Sequence, residues 1–157
     1  MIECLPRSLC SWDFSVIGIS SGPATVEYDW LTEQGRIITG HMAYDVRKHG
    51  ALSGHWTLER GGEVVADARK PSVMFRSFEI NGAGVGFTVG AVSAMTRVFE
   101  ITMSDHVVGR VSPVHAFTRR ATISCSDVVP QHLQLFAFWL VGITWRRAAS
   151  NISGASS

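Results

Sequence analysis

From about Phe14 to Cys125, apolar and polar residues alternate with a period of two in short runs broken by Gly, Asn, Asp and Ser. Half-buried strands joined by turns produce this pattern. Ten strands are predicted: Phe14–Ile19, Thr25–Leu31, Arg36–Tyr44, His55–Arg60, Glu63–Arg69, Val73–Ile80, Val85–Val92, Val98–Met103, Val107–Val111 and Thr118–Cys125. In the fourth, Trp56 and Leu58 share one face while His55, Thr57 and Glu59 share the other. In the eighth, Phe99, Ile101 and Met103 oppose Val98, Glu100 and Thr102. One dry face and one wet face per strand is the habit of antiparallel sheets. Gly61-Gly62 and Asp105-His106 occupy the places of two-residue hairpin loops, and Gly-Gly reaches positive φ more readily than Asp-His.

The hairpins on either side of those loops resemble one another. Trp56 to Lys70 aligns without gaps on Phe99 to Pro113, an offset of 43 residues. The alignment pairs Leu58 with Ile101, Gly62 with Asp105, Val64-Val65 with Val107-Val108, and Ala66 with Gly109. Two readings stand: a general likeness of hairpins, or a repeated meander unit that closes a barrel or sandwich.

The period changes after Cys125. Ser126 and Asp127 are helix-start residues, Pro130 is tolerated in a first turn, and an apolar run then reaches Trp145. This predicts one helix over about 130–147, with Arg146 and Arg147 at its C-terminal end, where cations suit the helix dipole. Residues 1–147 are read as one domain and 148–157 as a flexible tail. No Asp, Glu, Lys or Arg lies between Val128 and Trp145, so the helix is either a core helix or a membrane span. Its strongly apolar part, Leu133 to Trp145, rises only about 20 Å against a hydrocarbon core of roughly 30 Å. Burial in protein is therefore expected, with a tail anchor as the alternative.

Ten strands at about 4.8 Å spacing and roughly 40° tilt close into a barrel about 20 Å across. A helix about 10 Å wide fits inside. The fold expected is mainly β, a closed antiparallel barrel of about ten to twelve strands around one buried hydrophobic C-terminal helix.

The run Trp56-Thr57-Leu58-Glu59-Arg60, the stretch Val107-Val108-Gly109-Arg110-Val111, and Phe117-Thr118-Arg119-Arg120-Ala121-Thr122-Ile123 before the apolar helix together resemble bacterial relatives of the tubby C-terminal-like superfamily. That superfamily includes the LURP-one-related and phospholipid scramblase-like proteins. The resemblance covers roughly Arg36 to Arg147 in the order of elements. It implies a closed antiparallel barrel of about a dozen strands around a hydrophobic C-terminal helix. The chain departs from the family in having no proline-rich N-terminal arm and no acidic calcium-binding loop. Nor does a phosphoinositide-binding set of basic residues match position by position.

Composition narrows function mainly by exclusion. Charged residues make up 17% of the chain, against about 25% in soluble domains, and 14 Lys plus Arg balance 13 Asp plus Glu. That balance provides no basic footprint for nucleic acid. Cys4, Cys10 and Cys125 are odd in number and form no Cys-x-x-Cys pair, which suits a reducing compartment; Cys125 reads as a buried thiol. Glu3, Pro6, Arg7 and Asp13 interrupt any signal-peptide pattern, so a cytoplasmic monomer is expected, with membrane association as an option.

Gly82-Ala83-Gly84-Val85-Gly86 leads into a strand where a phosphate loop needs a helix, and reads as a hairpin loop. His41, His49 and His55 match no usual metal spacing, and His55, opposite Trp56, is expected to face outward. No G-x-S-x-G occurs, and the aspartates are scattered over different elements. The expectation is a non-enzymatic module without cofactor or metal. Its partner is either a phospholipid membrane surface or another protein; a carrier of a small apolar ligand is the alternative. Arg119 is expected at the barrel end, paired with an acid or capping carbonyls. Arg120, Arg146 and Arg147 are the candidates for contact with an anionic head group.

Overall fold

The computed structural model describes residues 1–155. Its strands are β1 (Ile2–Pro6), β2 (Phe14–Ile17), β3 (Ala24–Asp29), β4 (Gln34–Thr39), β5 (Met42–Lys48) and β6 (His55–Arg60), then β7 (Glu63–Arg69), β8 (Ser77–Gly82), β9 (Val85–Ala91), β10 (Phe99–Met103), β11 (His106–Pro113) and β12 (Ala121–Cys125). One helix, α1 (Gln131–Gly154), follows. Each strand pairs antiparallel with its chain neighbour, and β1 closes the ring on β12 through Ile2 opposite Ile123 and Cys4 opposite Ala121. The expected closed barrel around a C-terminal helix is therefore what the chain forms.

Two of the twelve strands were not expected. Alternation predicts no strand before Phe14, yet β1 buries Ile2 and Cys4 and turns Glu3 outward. The run Arg36–Tyr44, expected as one strand, is instead a hairpin. Gly40, at φ 56°, turns it at residues 40–41, and Thr39 faces Met42. Twelve strands widen the ring to about 24 Å by the same geometry, which gives the helix more clearance.

The two related hairpins correspond in detail. Both carry a β-bulge at the same aligned place, between Leu58 and Glu59 in one and between Ile101 and Thr102 in the other. The loop of the second hairpin is Ser104-Asp105, not Asp105-His106; His106 pairs with Met103, and φ is 48° and 64° at the two loop residues. Gly61-Gly62 is the equivalent loop of the first, at φ 60° and 85°. The 82–86 glycine segment is likewise a hairpin, turning at Ala83-Gly84.

Alternation places the core as expected: Trp56, Leu58, Phe99 and Ile101 point inward and are fully buried. Outside, Arg36–Asp45, Arg47–Glu59 and Arg110–Glu100 pair across neighbouring strands at 3.2, 2.9 and 2.6 Å. The barrel wall is thus apolar within and charged without, the reverse of a membrane-spanning barrel.

The helix threads the barrel, and Leu133 to Ile143 are buried. Trp139 donates Nε1–H to the Glu27 carbonyl at 3.0 Å and stacks on Tyr28 with ring centroids 4.9 Å apart. Tyr28 donates its hydroxyl to the Trp139 carbonyl at 3.1 Å. Burial raises the Tyr28 pKa well above its ordinary value, with Cys4 and Asp13 adding to the shift. Gly142 makes the Tyr28 contact possible, since a Cβ there would lie 2.1 Å from the Tyr28 hydroxyl. Phe138 meets Phe14 edge to face at 5.0 Å. No helix among the described residues is long and apolar enough to cross a membrane.

The helix departs from expectation at both ends. It starts at Gln131 without a side-chain cap; Ser126 and Asp127 lie in the turn before it. It runs on to Gly154, so Arg146 and Arg147 are not in its last turn, and residues 148–154 of the expected tail are helical. Residues 156 and 157 of that tail lie outside the described residues.

Candidate functional site

Strand direction sorts the connections between the two barrel ends. One end carries tight turns at 40–41, 61–62, 83–84 and 104–105, flanked by 18–23 and the 126–130 approach to the helix. The other end carries six longer loops, 7–13, 30–33, 49–54, 70–76, 92–98 and 114–120, around the emerging helix. This second end is the loop rim.

Every loop of the rim holds a large apolar side chain in solvent. Leu9, Leu31, Leu52, Met74, Met95 and Phe117, one from each loop, are 86–99% exposed. Scattered exposed apolar residues are ordinary, but here six gather on one end of the barrel, as at an interaction surface. Beneath these tips an aromatic ladder climbs from the core. Trp139 stacks on Tyr28, Tyr28 stacks on Trp30 at 4.5 Å, and Trp30 meets Trp12 edge-on at 5.7 Å. Trp12 and Trp30 are half-buried at the rim.

Three arginines brace the loops in relay. Arg76 donates Nη1–H to the carbonyls of Ala94 and Thr96 at 3.1 and 2.7 Å. Arg97 does the same for Ala116 and Thr118 at 3.1 and 2.9 Å. Arg119 donates to the carbonyls of Ser8, Leu9 and Ser11. Each loop thus supplies the arginine that holds the next, and each guanidinium lies against an aromatic ring: Phe99, Trp145 and Trp12 respectively. Capping carbonyls was one of the two roles expected of Arg119. Partial burial lowers the pKa of Arg76 and Arg97 from its ordinary value.

Of the candidate head-group residues, Arg120 is exposed in the 114–120 loop, its amide held by Thr118 Oγ1 at 3.0 Å. Arg146 lies over the Trp30 ring at 4.7 Å. Arg147 is engaged elsewhere: its Nε and Nη2 grip the Glu33 carboxylate at 2.8 and 2.6 Å, and Lys48 binds the same carboxylate. Burial pushes the Glu33 pKa up, but hydrogen bonds and charge from Arg147 and Lys48 outweigh it and hold the carboxyl below its ordinary range. All three candidates therefore sit at the rim, though Arg147 is already neutralised.

The balanced net charge hides a strong separation. Among the described residues, Lys70, Arg76, Arg97, Arg119, Arg120 and Arg146 at the rim form no ion pair with a carboxylate. Of the rim acids, Glu33 is matched by two cations, while Asp13 accepts the Tyr28 amide and Asp29 the Leu31 amide, leaving two carboxylates against six cations. At the turn end Arg60 faces Glu63 across its hairpin, and Asp105 and Asp127 lie in the connections of the same end.

The histidines divide. His41 is in a turn at the far end, while His49 and His55 pack with ring centroids 4.8 Å apart on the outer wall. Thr57 donates its hydroxyl to Glu59 at 3.1 Å, so its 2.7 Å contact with His49 Nε2 requires the histidine to donate. His55 Nε2 lies 3.2 Å from Asp67 Oδ2 but is poorly aligned for a hydrogen bond. Thr57 itself is buried beneath the two rings. Among the described residues, no group of three or more His, Cys, Asp or Glu is placed to hold a metal ion. Cys4 is buried, Cys125 is partly so, and Cys10 is exposed in the rim.

The tips are not legible from periodicity, because single apolar residues in loops carry no period. A signal was there: Leu9, Leu31, Leu52, Met95 and Phe117 each stand in a short inter-strand segment that small or polar residues would have filled adequately. No family model, curated protein or solved structure matches the chain.

Proposed function

We propose that the protein is a non-enzymatic barrel module that docks its loop rim onto an anionic phospholipid surface. The observation that carries this reading is the coincidence, on one end, of six apolar tips with six cations free of carboxylate partners. Neither signal alone gives durable attachment to a bilayer; apolar insertion combined with a polybasic patch does. Each Lys or Arg near an anionic surface contributes about 1 kcal/mol. Each tip adds part of the roughly 1.5–3 kcal/mol available for removing a large apolar side chain from water. Trp12 and Trp30, half-buried below the tips, suit the head-group level that tryptophan prefers.

A nucleic-acid backbone would use the cations but leave the apolar tips in water, so lipid is the better match. The helix occupies the barrel interior that a carrier would need, which moves ligand contact to the rim. We also infer membership of the tubby C-terminal-like superfamily; a helix enclosed by a twelve-stranded antiparallel barrel supports that resemblance.

Flotation with phosphatidylcholine vesicles, with and without phosphatidylserine, tests the docking. Binding is expected only with phosphatidylserine and should weaken with salt, because exposed charges are screened. Failure to float with phosphatidylserine vesicles at low salt would overturn the proposal and leave a protein partner as the occupant of the rim.

A further inference from the structure

Between loops 92–98 and 114–120 and the last turns of the helix lies a groove of about 500 Å³. That size falls within the roughly 300–1,000 Å³ of small-molecule sites. Ala148 and Ala149 form part of the helix side, and their small side chains leave the space open. Met95, Phe117 and Trp145 add apolar surface to the other walls. Three cations also line it, of which Arg119 is engaged by the carbonyls of Ser8, Leu9 and Ser11. Arg76 and Arg97 spend Nη1 on loop carbonyls, while among the described residues Nε and Nη2 of both make no hydrogen bond. The groove therefore combines an apolar trough with fixed, partly desolvated guanidinium groups that still have donors to give.

We propose that this groove seats one acyl chain of an anionic phospholipid lifted from the docked bilayer, with the phosphate held by Arg76 and Arg97. Charge complementarity selects this occupant. An uncharged chain would leave both guanidinium groups facing an apolar ligand, whereas inorganic phosphate would leave the trough empty. The braces make the site rigid, since the same arginines fix the loops that form its walls. The proposal rests on the docking reading, but a monomeric probe tests it separately.

The probe is dodecyl phosphate below its critical micelle concentration, followed by the fluorescence of Trp12 and Trp145 in the groove and by calorimetry. The intact protein should bind dodecyl phosphate at least tenfold more tightly than dodecanol, and inorganic phosphate should not displace it. Ala149→Trp fills the trough and should weaken dodecyl phosphate at least tenfold while flotation on phosphatidylserine vesicles persists. Ile152→Glu, at an exposed position on the outer wall, places a carboxylate beside the ligand and should weaken it similarly. An intact protein that floats on vesicles but does not bind dodecyl phosphate would overturn the groove and leave docking standing. Equal affinity in both variants would also overturn it. Groove binding without flotation would instead remove the docking reading and its bilayer source for the chain.

Discussion

Arg147 grips Glu33 through two parallel hydrogen bonds, Nε to Oε1 at 2.8 Å and Nη2 to Oε2 at 2.6 Å. The pair ties the helix to the 30–33 loop where the helix leaves the barrel. Glu33 is a hub in its own right: its carbonyl accepts Trp56 Nε1–H at 3.0 Å, and its backbone takes the left-handed φ of 50° that side chains other than glycine's rarely adopt.

This arrangement gives stability a pH dependence of known sign. The Glu33 pKa is held below its ordinary value of 4.5, so its contribution is present above that value and is lost as pH falls through the lowered one. Glu33→Gln should cost about 2 kcal/mol at neutral pH, because it leaves Arg147 and the nearly buried Lys48 without a carboxylate. Thermal melts of both proteins across pH should converge below pH 4.5. A gap that persists undiminished at strongly acid pH would remove the ion pair as its cause.

The same pair separates the basic candidates. Arg120→Glu should weaken binding to phosphatidylserine vesicles several-fold and leave the melting temperature nearly unchanged, because Arg120 is exposed and free of acids. Arg147→Gln should do the opposite, lowering stability with little effect on vesicle binding, since its charge is already spent on Glu33. Flotation and melting curves on the two variants check both halves; matched effects would show that the rim cations do not act as assigned.

Gly142 sits mid-helix, where Ala is ordinarily better by about 1 kcal/mol. Here the sign should reverse. A Cβ would lie 2.1 Å from the Tyr28 hydroxyl and 2.8 Å from Cζ, so the ring must leave its stack on Trp139. Gly142→Ala should lose about 1–3 kcal/mol in denaturant unfolding, the usual cost of overpacking a filled core. A gain would mean that the helix and Tyr28 do not meet as described.

Much of this fold was legible in the sequence because burial leaves a period. Trp56, Leu58, Phe99 and Ile101 could be placed on the inner face from alternation alone, and the charge-free helix needed a container. The two hairpins that align in sequence also correspond in structure, down to the equivalent bulges after Leu58 and Ile101. Strand β1 was lost because Pro6 and Arg7 cut its alternation short, and the 40–41 turn because a lone Gly40 is a weak breaker. The rim was illegible for a different reason. Leu9, Leu31 and Phe117 lie far apart in sequence, and only closure of the barrel brings their loops to one end. Likewise the near-zero net charge concealed cations gathered on one end and cross-strand pairs on the wall.

Cys10 offers the most direct test of docking, because it is the exposed thiol and stands beside Leu9 in the rim. An environment-sensitive fluorophore on Cys10 should shift to the blue, and be quenched by lipid-borne quenchers, when phosphatidylserine vesicles are added. The same label on Asp105→Cys in a Cys10→Ser background reports the opposite end of the barrel and should remain in water. Equal responses from the two ends, or a response confined to position 105, would contradict docking through the loop rim.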